Sequence, residues 1–286
     1  MPKVSVTVIT KNEAADIERA LASVAWADEI VVVDSGSTDD TVAIARQHTG
    51  RVVVREWPGY AKQKDYAASL AANDWILSLD ADEVVTPALA TEVRQVLSTD
   101  PAHTAFRIPR VTWHLGRWVR TTDWYPDYQI RLYDRRSADW AGKYVHESVK
   151  PRGSVGQLRG EFQHYAYRDI SDHLETIDRY TTYAARQMHE SGRRAGFFDV
   201  AIHPSLAFLR NYIARGGIRD GVPGFIISIL NSYYVFLKFA KLWEIETRRA
   251  QGSGFRVPGA LETPASEPGA QNPGPGTTPS TWHQEP

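Results

Sequence analysis

Within the first hundred residues, four short apolar runs alternate with amphipathic stretches of helical period. VSVTVIT (4–10) precedes NEAADIERALASVA, EIVVVD (29–34) precedes TDDTVAIARQH, RVVVRE (51–56) precedes GYAKQKDYAASLAA, and WILSLD (75–80) precedes TPALATEVRQVL. Runs rich in β-branched residues, separated by helical crossovers of about 10–15 residues, build a parallel sheet. The pattern restricts this half of the chain to an α/β fold. It also places the ligand crevice at the carboxyl ends of the strands.

Beyond residue 104 the texture changes. FRIPRVTWHLGRWVR and DYQIRLYDRR alternate over short, aromatic-rich runs, as antiparallel or mixed strands do. From about residue 169 the chain turns helical, first in ISDHLETIDRYTTYAARQMHES and then near 203–215 and 222–247. The last stretch, from Gly252, is dominated by Pro, Gly, Ser and Thr; it buries too little to offset its ordering entropy and is expected to be disordered. The expected organisation is an α/β domain over 1–165, a helical extension over 166–250 and a tail over 251–286. The first domain divides near residue 100, where the helical-crossover pattern gives way to short aromatic-rich runs.

Composition narrows the partners. A chain of 286 residues with 42% hydrophobic and 11% aromatic residues has a core large enough for one large domain or two modest ones. A formal charge of −1 supplies no global field for nucleic acid, and none is expected as a partner. With no cysteine there are no disulfides and no thiolate metal sites. MPKVSVTVITKNEA reads as a first strand rather than a signal peptide, so the default location is the cytoplasm.

The fourth run ends in Asp80-Ala81-Asp82-Glu83, three acids within four residues. Two carboxylates this close repel unless a cation sits between them. Hard oxygen ligands suit Mg²⁺ or Mn²⁺, which bind a substrate diphosphate on their other side. A solvated turn with Asp80 capping the next helix explains the acids equally well when they are taken alone. The first run ends in Thr10-Lys11-Asn12-Glu13 and the second in Asp34-Ser35-Gly36-Ser37-Thr38-Asp39, on the sheet edge expected to carry the acids. Asn and Asp there can pair with a nucleobase or ribose hydroxyls. For Asp34 ligand contact is the favoured role, and for Ser37–Asp40 ordinary capping of the next helix.

VTVITKNEA, IVVVDSGSTDDT, GYAKQKDYA and WILSLDADE, in this order and spacing, resemble the N-terminal half of family 2 glycosyltransferases with the GT-A fold. Among them the chain is most similar to bacterial lipopolysaccharide core glucosyltransferases, over roughly residues 3 to 245. The resemblance implies that Thr10, Asn12, Glu13 and Asp34 hold the nucleoside of a nucleotide-diphospho-sugar and that Lys64 lies near the base or phosphates. It implies that Asp80, Ala81 and Asp82 border the metal, the donor sugar and the diphosphate. Asp65 departs from the Asn common in relatives, which leaves its bonding role open.

The transfer also needs a cation for the departing diphosphate and a base for the acceptor hydroxyl. Arg131 in YPDYQIRLYDRR is the candidate cation, matching the family's arginine, with a surface cation on a sheet edge as the alternative. Glu147 in KYVHESV is the leading candidate base, with Asp123 and Asp127 as rivals. A single base acting on the acceptor implies inversion at the anomeric carbon. His164, in EFQHYAY, is either a metal ligand or a structural histidine. Trp113, Trp118 and Trp124 either stack on acceptor sugars or pack in the core.

VPGFIISILNSYYVFLKF is interrupted by Pro223, Gly224 and Asn231, so a membrane-crossing helix is not expected. Arg210, Arg215, Arg219, Lys238 and Lys241 flank the apolar stretches. This pattern fits helices lying on a membrane surface, and equally a helical cover with a homodimer contact. Three functions compete: a metal-dependent transferase acting on a glycan or lipid-linked acceptor, a sugar-nucleotide nucleotidyltransferase, and a non-catalytic nucleotide-binding module. The second wants a Gly-rich basic loop after the first strand, where this chain has TKNEAAD. A phosphatase of the Asp-x-Asp type would carry its acids after the first strand, not the fourth.

Overall fold

The computed structural model describes residues 2–99, 101–142 and 147–250. The tail expected to be disordered and His146 beside the candidate base lie outside the described residues. The chain forms two compact units, the first running to Ala166 and the second starting at Tyr167.

The first unit is built on one mixed sheet. Its parallel half contains β1 (Val4–Thr10), β2 (Glu29–Asp34), β3 (Val52–Val54) and β4 (Trp75–Asp80), in the order β3-β2-β1-β4. All residues of β1 and β4 are buried, because α1 (Ile17–Ser23), α2 (Thr41–His48) and α3 (Tyr60–Leu70) connect the parallel strands as crossovers and cover the sheet. That is why these runs read as continuously apolar. Strand β3 is short and only partly buried, as befits a sheet edge.

Past β4 the direction of the sheet reverses. A short β5 (Glu83–Val85), not foreseen from the sequence, leads into α4 (Pro87–Ser98). Thr86 caps α4 by accepting from the Leu89 amide at 3.3 Å, with Pro87 in the first helical turn. Then follow β6 (Ala105–His114), β7 (Arg117–Val119) and β8 (Asp127–Asp134). Strand β8 joins the sheet antiparallel to β4, and β6 lies antiparallel to β8. The strands β9 (Ala138–Ala141) and β10 (Ser148–Pro151) form a separate hairpin pair, while β11 (Val155–Gln157) and β12 (Phe162–His164) run parallel to β6. Strand β12 also pairs antiparallel with β5, setting His164 opposite Glu83. The main core lies between the sheet and α1 and α4, around Val6, Leu21, Leu77, Leu89, Val93 and Phe162.

The second unit comprises α5 (Ile170–Glu190), α6 (Phe197–Leu209) and α7 (Gly221–Ala250). A π-helical turn (Arg210–Ala214) and a 3-10 turn (Gly217–Asp220) link the last two. Asp169 caps α5 by accepting from the Asp172 amide at 2.9 Å. Asn231 Nδ2 donates to Asn211 Oδ1 at 2.8 Å, and the Ser232 hydroxyl donates to the Pro204 carbonyl at 2.8 Å, so polar pairs fix α6 on α7. Lys241 donates to the Asp178 carboxylate at 2.7 Å and to the hydroxyls of Thr181 and Thr182, fixing α5 on α7. Lys241 is thus an internal tie and Lys238 is buried, so neither flanks an outer apolar face as the sequence pattern implied. By length and composition α7 is apolar enough to cross a membrane, despite Pro223 and Asn231; 44% of its most apolar stretch is buried within the protein.

Gly160 packs against the first turn of α4, where a Cβ would lie 2.4 Å from the Leu89 Cα. Its amide and that of Arg159 donate to the Glu92 carboxylate at 2.8 and 2.9 Å. Gly160→Ala must push α4 away from the sheet and should cost about 1–3 kcal/mol, as overpacking does. Gly50→Ala, where a Cβ meets nothing within 4 Å, is the control. Thermal unfolding should show a lowered Tm for the first and no loss for the second; equal Tm values would refute the contact.

Candidate active site

The strand register sets the expected residues on one edge. Thr10 pairs with Asp34 between β1 and β2, and Ile9 pairs with Asp80 between β1 and β4. The tips of three strands therefore meet at the carboxyl edge of the parallel sheet.

The loops after β1 and β2 are sewn together. Asn12 adopts the left-handed region with φ of 57°, its amide donates to Ser37 Oγ at 2.8 Å, and its Oδ1 accepts from the Thr38 amide at 2.8 Å. The Glu13 amide donates to Thr41 Oγ1 at 2.7 Å. Asp34, fully buried, accepts from the amides of Gly36 and Ser37, both at 2.8 Å, and from the Ser37 hydroxyl. Ser37 and Thr38 serve the first loop instead of capping α2. Asp39 accepts from the Thr41 amide at 3.1 Å, and burial notwithstanding, these bonds hold its carboxyl below the usual value. Asp34 and Asn12 thus shape the loops that frame the crevice.

Behind this edge lies a buried charge network. Asp80 receives Arg131 through both oxygens, Nη1 to Oδ1 at 3.2 Å and Nη2 to Oδ2 at 2.5 Å, and Lys64 Nζ lies 3.0 Å from Oδ1. Burial opposes ionisation of Asp80, but Arg131 and Lys64 outweigh it and hold its carboxyl well below the usual range. Lys64, on α3, also reaches Glu147 Oε1 at 3.3 Å and lies 4.6 Å above the Trp140 ring. Neighbouring Asp65 accepts from the Trp140 amide at 2.9 Å, which fills the bonding role its departure from Asn left open.

Two residues unassigned in the sequence complete the network. Glu83 accepts from the Asp80 amide at 3.1 Å and from Arg110 at 2.9 Å. Arg110, 1% exposed, grips Asp127 Oδ2 through Nε and Nη2 at 2.9 and 2.7 Å. Gln129 donates to the other oxygen of Asp127 at 2.7 Å. With both oxygens held, Asp127 is suited to positioning more than to accepting a substrate proton. FRIPRV carries two cations, the exposed Arg107 and the buried Arg110, and nothing local says which is buried or names the two carboxylate partners of Arg110.

Buried polar atoms that make no hydrogen bond gather at the same edge. They include Thr10 Oγ1, Gln63 Oε1, Asp82 Oδ1, Arg131 Nε, Glu147 Oε2 and His164 Nε2. Such atoms are costly unless something else satisfies them. Asp82 and His164 belong together: the Asp82 carbonyl accepts from the Tyr165 amide at 3.0 Å, and His164 Nε2 lies 3.4 Å from Asp82 Oδ2. Asp82 Oδ1 is left over from this contact, so the pair combines an oxygen and a nitrogen donor of the chemical type that divalent cations accept. Asp80 has given its oxygens to cations, and among the described residues no cluster of three His, Asp or Glu side chains is placed to hold a metal by itself.

The sequence profile of glycosyltransferase family 2 matches residues 5–154. The chain belongs to this family. A glycosyltransferase of Rickettsia felis is 33% identical over 258 residues, covering 85% of this chain and 90% of its own. The lipopolysaccharide core biosynthesis glycosyltransferase LpsC of Rhizobium meliloti is 30% identical over 254 residues, covering 86% and 94%. Among solved structures, glucosyl-3-phosphoglycerate synthase from Mycobacterium tuberculosis, in complex with Mn²⁺, uridine diphosphate and glucosyl-3-phosphoglycerate, is 26% identical over 39% of this chain and 44% of its own, with a TM-score of 0.34.

The aromatic residues of this glycosyltransferase divide. Trp124 is buried against His114, 5.6 Å between rings, and belongs to the core. Trp113 and Trp118 are half-buried and meet edge to face at 5.1 Å, with Tyr165 5.3 Å from Trp118. This surface cluster adjoins the strand end that presents His164. Asp123 sits in a short 3-10 turn (Thr122–Trp124).

Asp80 gives a pH test. Its folded-state pKa lies below the unfolded value of about 3.9, so its ionised form contributes stability above that pH, lost as pH falls through the folded value. Asp80→Asn should lower stability at neutral pH, where Arg131 and Lys64 lose their counter-charge, and flatten the decline below about pH 4. Urea unfolding across that range measures both; an unchanged acid slope would remove Asp80 from the network's charge balance.

Proposed function

We propose that this glycosyltransferase is an inverting, divalent-metal-dependent enzyme that uses a UDP-sugar. The acceptor is a glycan or lipid-linked saccharide of cell-envelope or lipopolysaccharide synthesis, and transfer takes place on the cytoplasmic side. The observation that carries the reading is the buried Asp82–His164 pair, with Nε2 3.4 Å from Oδ2 and Asp82 Oδ1 left without a hydrogen bond, next to the strand tip of Asp80. The acceptor class follows the similarity to LpsC, and the uridine base follows the family resemblance.

In this reading Asp82 and His164 hold Mg²⁺ or Mn²⁺, which when bound neutralises charge on the departing diphosphate. Charge supports the choice. Asp80, Asp82, Glu83, Asp127 and Glu147 set five carboxylates against Lys64, Arg110 and Arg131, leaving a formal excess of two negative charges. Thr10, Asn12, Glu13 and Asp34 frame the nucleoside, and Ala81, with no side chain beyond Cβ, lets the donor approach the backbone.

Arg131 and Lys64, aimed by Asp80, add positive charge beside the leaving group. Glu147 keeps one oxygen unpartnered and acts as the base. The acceptor oxygen bonds to the anomeric carbon as the bond to the diphosphate oxygen breaks. The hydroxyl proton passes to Glu147 and the bonding pair leaves with the nucleoside diphosphate. One displacement inverts the carbon.

Calorimetry with uridine diphosphate, with and without Mn²⁺, together with donor hydrolysis and transfer assays, tests the roles. Asp82→Ala should abolish metal-dependent binding and turnover. Glu147→Gln should bind the nucleotide normally and lose about 100-fold or more in transfer rate, the scale of general-base catalysis. Equal losses of binding and turnover in Glu147→Gln would make that residue structural. Metal-dependent binding by the native chain with no turnover of any donor would leave a binding module.

A further inference from the structure

The helical unit turns two apolar stripes outward. On α6 and the turn after it, Ile202, Leu206, Leu209 and Ile213 are exposed at spacings of four, three and four residues, hence on one side. Pro204, Ala207 and Asn211 recur with the same period on the opposite, buried side. On α7, Val222, Phe225, Ile229, Tyr233 and Phe236 repeat the pattern, with Ile227, Asn231, Tyr234 and Lys238 facing inward. The ring of Phe225 lies 5.8 Å from Phe208 and 5.6 Å from Tyr212, so aromatic contacts join the two stripes. At the head of α6, Phe197 is 78% exposed and Phe198 is 73% exposed. This row is far longer than the scattered apolar residues usual on a soluble surface.

Charge identifies the occupant. From residue 200 to residue 243 the sequence holds a single acid, Asp220, and it is buried. Arg210, Arg215 and Arg219 are exposed in the connection between the stripes, and Arg194 is exposed just before Phe197, where Arg193 pairs with Asp199 at 3.5 Å. The region is a basic, aromatic-rich island in a chain whose formal charge is −1. A symmetric contact with a second copy would bring Arg210, Arg215 and Arg219 face to face with no exposed acid between residues 200 and 243 to meet them. A bilayer carrying anionic lipid offers both an apolar layer and phosphates at the same depth. The buried Asn231 and Lys238 serve the packed side of α7, which suits a helix lying in the interface more than one surrounded by lipid.

We infer that α6 and α7 dock this protein on an anionic membrane surface, with both apolar stripes in the headgroup boundary and Arg210, Arg215 and Arg219 on lipid phosphates. The inference stands on the helical unit alone and does not depend on the metal, the donor or the base.

Co-sedimentation of the full chain with vesicles of phosphatidylcholine and phosphatidylglycerol, against phosphatidylcholine alone, is the experiment. The native chain should prefer the anionic vesicles and be released by high salt or carbonate. Combined Leu206→Ser, Ile213→Ser and Val222→Ser should keep the native circular dichroism and weaken vesicle binding by at least about tenfold. Combined Arg210→Gln, Arg215→Gln and Arg219→Gln should erase the preference for anionic lipid, with at least about a tenfold loss on such vesicles. Undiminished binding by either variant overturns the proposal. A solution dimer split by the serine variant, without any vesicle binding by the native chain, would assign the face to a second copy. Retention through carbonate would make α7 a spanning helix and overturn the surface placement.

Discussion

The buried pairing of Asp80 with Arg131 is the contact on which the rest of the site depends. It crosses from β4, the last strand of the parallel half, to β8, the first strand of the antiparallel half. Burying either ion alone would cost several kcal/mol, so neither strand end is stable in this position without the other. Glu83 and Arg110 continue the chain of charges from β5 to β6, and Lys64 carries it to α3 and Glu147. The polar crevice is thus held by ionic contacts where the layers on either side of the sheet are held by apolar packing.

The parallel half was legible because each of its signals is local. A buried strand in such a sheet must be apolar along its length, and the crossover after it must have helical period; both show in VSVTVIT and WILSLD with the segments that follow. The edge placement of Asp80 followed from the same logic, since a charge at the tip of a buried strand has one direction in which to find a partner. The partner itself was not legible. Asp80 looks like a metal ligand from its neighbour Asp82, and only the antiparallel return of β8 brings Arg131 against it. Arg110 and Glu83 are 27 residues apart, and their contact depends on β6 lying two strands from β5 across β12.

Short-range polar chemistry misled in the second loop. Ser37 and Thr38 stand where helix caps stand, yet they bond to Asn12, because the loop of β1 is close enough to compete for them. In the helical unit, Lys238 and Lys241 look like outward cations in a linear reading. Burial and three hydroxyl or carboxylate partners turn them inward, and the outward charge falls to the arginines of the connection.

Strand β12 has three residues, and side chains alternate across a sheet, so the orientation of His164 is an all-or-nothing matter of register. The bond from the Tyr165 amide to the Asp82 carbonyl works as a dowel between the two segments. A slip by one position would present Gln163 or Tyr165 to Asp82 in place of the imidazole. Insertions between Gly160 and Tyr165 should therefore be far less tolerated than insertions in the loops at the opposite sheet edge, even where the added residues are small and polar.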